Sequence, residues 1–464
     1  MTDETATSKE EIIENYGWRV TFAGVGINLA LGILYTWSVI SKRIPAEWGW
    51  NEDDKSLPYM FACLIFSLVM VPAGRMQDRI GPRVVASIGG ILVGLGFIVA
   101  SMSTSVFGFV FGFGVLAGAG IGFGYASATP AAVKWFPPAK TGMIAGIVVS
   151  GFGLASVYAA PLTKWLIASY GFKTAILALG IAFMVVVVGF AQLLKAPHKV
   201  LQFIKEYGEV GRLKQEAMAR EKAKLEGKEP ALEKKVEFTP KEMLCTVQFY
   251  MLWFMYACGA GAGLMVISKL AAIVDIQAGI KLGFILVAVL AVGNGGGRIA
   301  AGMLSDKIGR KATMFICFVL QAVLIGLLSQ VAQGNMLANV VVLSVVSALI
   351  GANYGANLSL FPSITKDFYG LKNFGMNYGL VFTSWGVGGF MLAKLAGAMY
   401  VKHQTFAIAY YGASALLVLA AIMVFFVKPP HYTLKQSEII AESIETDESI
   451  EDKPIEDVEA VGVE

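Results

Sequence analysis

From residue 18 to residue 427 the chain alternates between long apolar runs and short polar breaks. A helix that crosses bilayer hydrocarbon needs roughly 20 apolar residues, at about 1.5 Å rise each. Twelve runs qualify: about 18–40, 57–74, 84–103, 106–131, 142–166, 173–194, 247–271, 283–303, 312–331, 338–360, 376–400 and 406–427. Six precede and six follow a polar stretch, 195–246, whose middle, KQEAMAREKAKLEGKEPALEKK, is charged and helix-prone and reads as a surface or disordered linker. The pattern predicts an all-α membrane protein of 12 transmembrane helices in two six-helix bundles, 18–194 and 247–428, with polar ends at 1–17 and 429–464. The end from Glu438 is acidic and weakly hydrophobic, so it is expected to be disordered.

Charge placement sharpens this picture. Only 15% of the 464 residues are charged, against 56% hydrophobic, where a soluble chain carries about a quarter charged. No Asp or Glu lies between Asp78 and Glu206, between Glu242 and Asp275, or between Asp306 and Asp367. Such carboxylate-free blocks face lipid, so the expected surroundings are a bilayer, and the net charge of +4 is no signal for nucleic acid. Arg75, Arg79, Arg83, Lys134, Lys140, Lys307, Arg310, Lys311, Lys366 and Lys372 fall on one side, with the linker, and only Lys42, Arg43, Lys55, Lys173, Lys281 and Lys402 on the other. That bias predicts a cell (inner) membrane protein with both termini and the linker in the cytoplasm. The first 16 residues are polar and acidic, unlike a basic leader. Cys63, Cys245, Cys258 and Cys317 are isolated, and His198, His403 and His431 lie at or beyond helix ends, so no disulfide, metal or cofactor is expected.

The halves repeat. AGRMQDRIGPR (73–83) matches AGMLSDKIGRK (301–311) at an offset of 228, and VISK recurs at 39–42 and 266–269. Two related halves imply a binding site between them, near the membrane midplane. Two copies of G-x-x-x-D-[RK]-x-G-x-[RK], each following the second helix of a half, resemble the loop signature of the major facilitator superfamily. YGWRV and LGILYTWSV near the start, KWFPPAKTGMIAGIVVSGFGLAS, FTPKEMLCTVQFYMLWF, GLMVISKLA, NGGGRIAAGMLSDKIGR and NYGLVFTSWGVGGF together resemble the oxalate/formate antiporter family, related to the monocarboxylate (L-lactate) transporters. The resemblance covers residues 16 to 430 apart from the linker. It implies the major facilitator fold, two pseudo-symmetric bundles that carry a small anion.

Beyond the first two residues of each run, four cations fall inside: Lys164, Lys269, Arg298 and Lys394. Lys164 and Lys269 lie within about a turn of a helix end, where lysine snorkels to the interface. Arg298 lies ~15 residues into the eighth run, within about 6 Å of the midplane. A central arginine costs at least ~2.5 kcal/mol to insert, and no intramembrane carboxylate is available to pair with it. The plainer reading bonds it to backbone carbonyls. The functional reading turns it towards a wet cavity and an anionic substrate, which a guanidinium grips with two parallel hydrogen bonds. The family resemblance places a substrate-binding arginine in this helix and matches it to Arg298. Asn294 shares its face one turn earlier; the animal monocarboxylate transporters have there an aspartate that takes part in proton coupling. The oxalate exchangers carry a second cation, a lysine, in the eleventh helix, which aligns nearer Gly388 than Lys394. Nine residues separate Trp385 from Lys394 and set them on opposite faces, but Lys394 remains a candidate.

Tyr35, Trp37, Tyr125, Asn353, Tyr354, Asn357 and Trp385 lie well inside their helices, and the resemblance implies a cavity built from aromatics on helices 1, 4, 10 and 11. Tyr35, Tyr125, Tyr354, Asn357 and Trp385 are the substrate-site candidates; the stripes Tyr354/Asn357 and Tyr378/Phe382/Trp385 read equally as helix packing. GNGGGRIAAG and the glycines of GFVFGFGVLAGAGIGFGY follow no strand, so they suit close helix packing rather than a nucleotide. Asp306 sits near a helix C-terminus, where the dipole disfavours an anion. It therefore needs a partner, either basic loop residues or a neighbouring helix N-terminus. Asp78, Arg79 and Gly81, with Asp306, Lys307 and Gly309, are the expected gate, the aspartates latching it on the cytoplasmic side and the glycines allowing the tight reversals.

The sequence thus predicts a secondary carrier of small carboxylate anions such as lactate, formate or pyruvate, with oxalate/formate exchange as the alternative. An anion channel or a non-transporting receptor would also use a buried arginine, but the repeated gate loops argue for a carrier. No constellation supports an enzyme. No membrane carboxylate or histidine is placed to hold a proton, so a co-transported proton would come with the substrate, or else anions are exchanged.

Overall fold

Gly81 and Gly309 set the pattern of the chain reversals. Each takes a positive φ, +89° and +90°, which a side chain disfavours, and each separates the second helix of a half from the third. The computed structural model describes residues 4–136, 140–195, 237–278, 283–331, 334–403 and 405–430. Most of the linker and the end from 431 onward lie outside the described residues, as does the side chain of Lys269. Every regular element among the described residues is helical. Twelve helices are long and apolar enough to span a bilayer: α1 Gly17–Ser41, α2 Asp54–Ile80, α3 Pro82–Met102, α4 Val106–Val133, α5 Thr141–Tyr170, α6 Phe172–Ala191, α7 Val247–Ile267, α8 Leu286–Ile308, α9 Arg310–Leu328, α10 Val340–Tyr369, α11 Phe374–Tyr400 and α12 Ala407–Phe426. These match the twelve predicted runs. The difference lies in length: α2 and α10 continue for six and nine residues beyond the apolar runs, through Asp78 and Asp367. Loss of hydrophobicity does not stop a helix; the C-caps at Gly81 and Gly370 do.

Two helices depart from α geometry. In α1 a 3₁₀ turn, Gly32–Thr36, interrupts the spiral at Tyr35. In α4 the stretch Val110–Ala117 is π-helical. Gly112 and Gly120 of α4 lie against α3: a Cβ on Gly120 would stand 2.6 Å from the carbonyl oxygen of Gly89, so only glycine permits that spacing.

The halves interlock where α2 crosses α11 and α5 crosses α8. Gly74 of α2 meets the backbone of Gly375, and Gly302 of α8 meets the backbone of Gly142, each so closely that a Cβ would collide. Gly74 and Gly302 are equivalent positions of the repeat, four residues before Asp78 and Asp306. The interlock continues inward through Gly379 on Met70 and Gly146 on the Arg298 carbonyl, and reaches Gly386 on Ser67 and Gly153 on Gly295. Gly302→Val should force this end apart. Overpacking costs about 1–3 kcal/mol, or roughly 5- to 150-fold in an equilibrium. The expected outcome is a rise of that order in alkylation of a cysteine placed at Ala145, buried beside the contact, in a background free of other cysteines.

Candidate functional site

Arg298 reaches the inter-half surface because α8 carries glycine at 295, 296 and 297. Gly295 lets Leu154 of α5, and Gly297 lets Ala352 of α10, approach its backbone. The side chain is fully buried. Its Nε donates to Asn294 Oδ1 at 3.0 Å and its Nη1 to the carbonyl of Val149, on the opposite half, at 2.5 Å. Nη2 has no hydrogen-bond partner. A guanidinium has five N–H groups, so three remain to be satisfied. The plainer reading, an arginine tied to backbone, accounts for one N–H, and Asn294 takes a second; the other three form the outer edge of a desolvated cation. Among the described residues no carboxylate pairs with it.

Aromatic rings from both halves enclose the cation. The Phe152 ring centre lies 5.9 Å from the guanidinium carbon. Tyr35 packs edge-on to Phe152 at 5.1 Å and Tyr125 at 5.5 Å. From the other half, Trp385 stacks on Phe382 at 5.3 Å, and both rest on Phe66. A hydrogen-bonded chain closes the ring: Trp385 Nε1 donates to the Tyr354 hydroxyl at 3.0 Å, which lies 2.6 Å from the hydroxyl of Tyr35. The 3₁₀ turn aims Tyr35 across the interface, and Tyr35 is the part-exposed member of that chain.

The structure thus gathers Arg298, Asn294, Tyr35, Tyr125, Tyr354 and Trp385. Two candidates lie elsewhere. Asn357 turns into its own half: its amide donates to the carbonyl of Asn353 and its head abuts Gly259 of α7, so it belongs to α7–α10 packing. Lys394 is exposed, with its ammonium 5.9 Å from the Phe390 ring centre. It stands ~13 Å along α11 from Trp385 and is not among the groups packed round Arg298. Gly388, where the resemblance aligned a lysine, lies on Ala257 of α7. Phe66 and Phe152 were not singled out from the sequence, because one phenylalanine in an apolar run carries no mark of the face it will present.

The two signature aspartates each reach a helix of the opposite half, and the cations beside them are not Arg79 and Lys307. Asp306 accepts from the backbone N–H groups of Gly142 and Met143, at 3.0 and 2.8 Å, in the first turn of α5. Asp78 accepts from those of Gly375 and Met376, at 3.3 and 3.1 Å, in the first turn of α11. Each carboxylate therefore caps a helix of the opposite half, where the dipole favours an anion. Arg310 binds Asp306 at 2.5 Å and Lys134 lies 3.6 Å from Asp78. Arg79 and Lys307 are exposed and make no ion pair among the described residues. One residue past each aspartate, the helix has turned about 100° away from the interface.

A family model described as the Major Facilitator Superfamily matches residues 36–299 and 272–454. The chain belongs to that superfamily. It is similar to the MFS-type transporter YhjX of Escherichia coli, 27% identical over 80% of this chain and 85% of that protein. It is also similar to the oxalate:formate antiporter of Oxalobacter formigenes, 26% identical over 75% and 76%. The solved structure of FucP in the outward conformation has the same fold, with a TM-score of 0.62 at 13% identity over 88% of this chain and 99% of that one. In this facilitator, an integral membrane protein, Arg298 lies between the halves, and Asp78 and Asp306 bridge them at one end of the same packing.

Proposed function

We propose that this facilitator is a secondary carrier of small monocarboxylate anions, and that its halves rock about Arg298 to expose the site to each side in turn. The observation that carries the reading is the buried guanidinium, facing the opposite half with Nη2 unmet and no carboxylate beside it. An anion 4 Å away at an effective dielectric near 20 would gain about 4 kcal/mol. The latched end is read as cytoplasmic from the Lys and Arg bias, so the conformation is closed on that side. The residues round Arg298 are neutral, so any proton that moves does so on the substrate.

A second reading, oxalate/formate exchange, is favoured by the similarity to the Oxalobacter antiporter. It needs a second cation at the site, which Lys394 would have to supply. Counterflow into proteoliposomes with labelled lactate, formate and oxalate tests both. Saturable monocarboxylate exchange lost in Arg298→Ala is expected; undiminished transport by that variant rejects the site. Oxalate exchange lost in Lys394→Ala would establish the second reading instead.

A further inference from the structure

Carboxylates from two separate parts of the chain hold the start of α11. Asp78 accepts from the N–H groups of Gly375 and Met376. Glu237, near the end of the linker, accepts from those of Leu371 and Lys372 at 3.2 and 2.8 Å. The next residue fastens the same turn through both of its backbone groups. The Phe238 N–H donates to the carbonyl of Tyr369 at 3.0 Å, and the Phe238 carbonyl accepts from the side-chain amides of Asn373 and Asn377, each at 3.1 Å. Its ring is 1% exposed and stands edge-on to Tyr369, with ring centres 5.5 Å apart. The Tyr369 hydroxyl lies 3.0 Å from that of Thr246, one residue before α7. In between, Thr239 and Glu242 close a capping box on a short helix, Pro240–Leu244, and Met243 is buried. Residues 237–246 are thus a clamp built on the α10–α11 turn, not a slack approach to α7.

None of these bonds crosses between the halves, so the clamp stays with α11 when the gate opens. Its effect is on where α11 stands when the gate is shut. Gly74 and Gly375 meet backbone to backbone, and hydrogen bonds weaken steeply with misalignment, so Asp78 needs that first turn in one place. A helix start lacks partners within its own helix for its first N–H groups and is where fraying begins. We infer that Glu237, Phe238 and Asn373 are positioning residues of the gate, which set the first turn of α11 where Asp78 can cap it. The latch then depends on a segment outside both signature loops. A load carried by the linker reaches α11 through these bonds before it reaches α7. This role is the same whichever anion is carried.

A double-variant cycle tests it, read by alkylation of Ala145→Cys in the otherwise cysteine-free protein. Glu237→Ala, at an exposed residue, and Asn373→Ala should each raise the rate by roughly fivefold, the weight of about one hydrogen bond. In an Asp78→Asn background each should add less than about twofold, because both act through the bonds of Asp78. A general loosening of the fold would multiply with Asp78→Asn instead. An anchor of α7 alone would lower the melting temperature and leave both rates at the wild-type value. Either result overturns the positioning role. An Asp78→Asn rate equal to wild type would overturn the latch along with it.

Discussion

Arg298→Met should abolish carboxylate binding and leave the protein no less stable. Methionine fills a similar volume without the charge. Loss of about 4 kcal/mol of attraction corresponds to roughly a thousandfold weaker binding, measurable as loss of ligand-induced thermal protection. On stability the signs oppose. The variant frees Asn294 Oδ1 and the Val149 carbonyl of their donors, yet removes a desolvated guanidinium costing at least ~2.5 kcal/mol. Replacing buried ionic groups with apolar ones of like volume is often neutral or stabilising. The melting temperature without substrate should hold or rise. A marked fall would mean that Arg298 is a structural tie, and the monocarboxylate reading would lose its support.

The second large effect concerns the latches. Asp78→Asn and Asp306→Asn each convert charge-assisted hydrogen bonds on a helix N-terminus into neutral ones, a loss of about 1–2 kcal/mol. The two sites are separate and belong to different helix pairs, so the costs should add. The single variants should raise alkylation of a cysteine at Ala145 by roughly tenfold each, and the double variant by roughly a hundredfold. A double variant no faster than either single one would show that the latches open as one unit. Arg79→Ala and Lys307→Ala, on exposed side chains, should leave the rate within twofold of wild type.

The fold was legible because length and hydropathy alone decide whether a helix spans a bilayer, and because the two signature loops repeat. Arg298 was legible for the same reason: a charge in an apolar run has few explanations. Orientation of the remaining candidates was not. Most of these helices are apolar on all sides, so the periodicity that reveals a buried face in a soluble helix is weak. Asn357 and Tyr354 lie three residues apart and both abut α7, at Gly259 and Gly263, yet only Tyr354 also reaches Tyr35 across the interface. The 3₁₀ turn that aims Tyr35 has no proline to announce it. The need of Asp306 for a partner was deducible from the helix dipole, but that the partner would be the first turn of α5 required the two halves to be assembled.

The division of charge across the latches bears on what the other conformation presents to solvent. Asp78 and Lys134 belong to one half, and Asp306 and Arg310 to the other, so each carboxylate keeps its cation when the halves part. The helix ends they cap belong to the opposite halves and lose their anions at that moment. Opening would therefore bare the positive first turns of α5 and α11 at the rim of the new vestibule. An entrance so lined gathers anions from the newly exposed side, which favours reloading of the site before the halves close again.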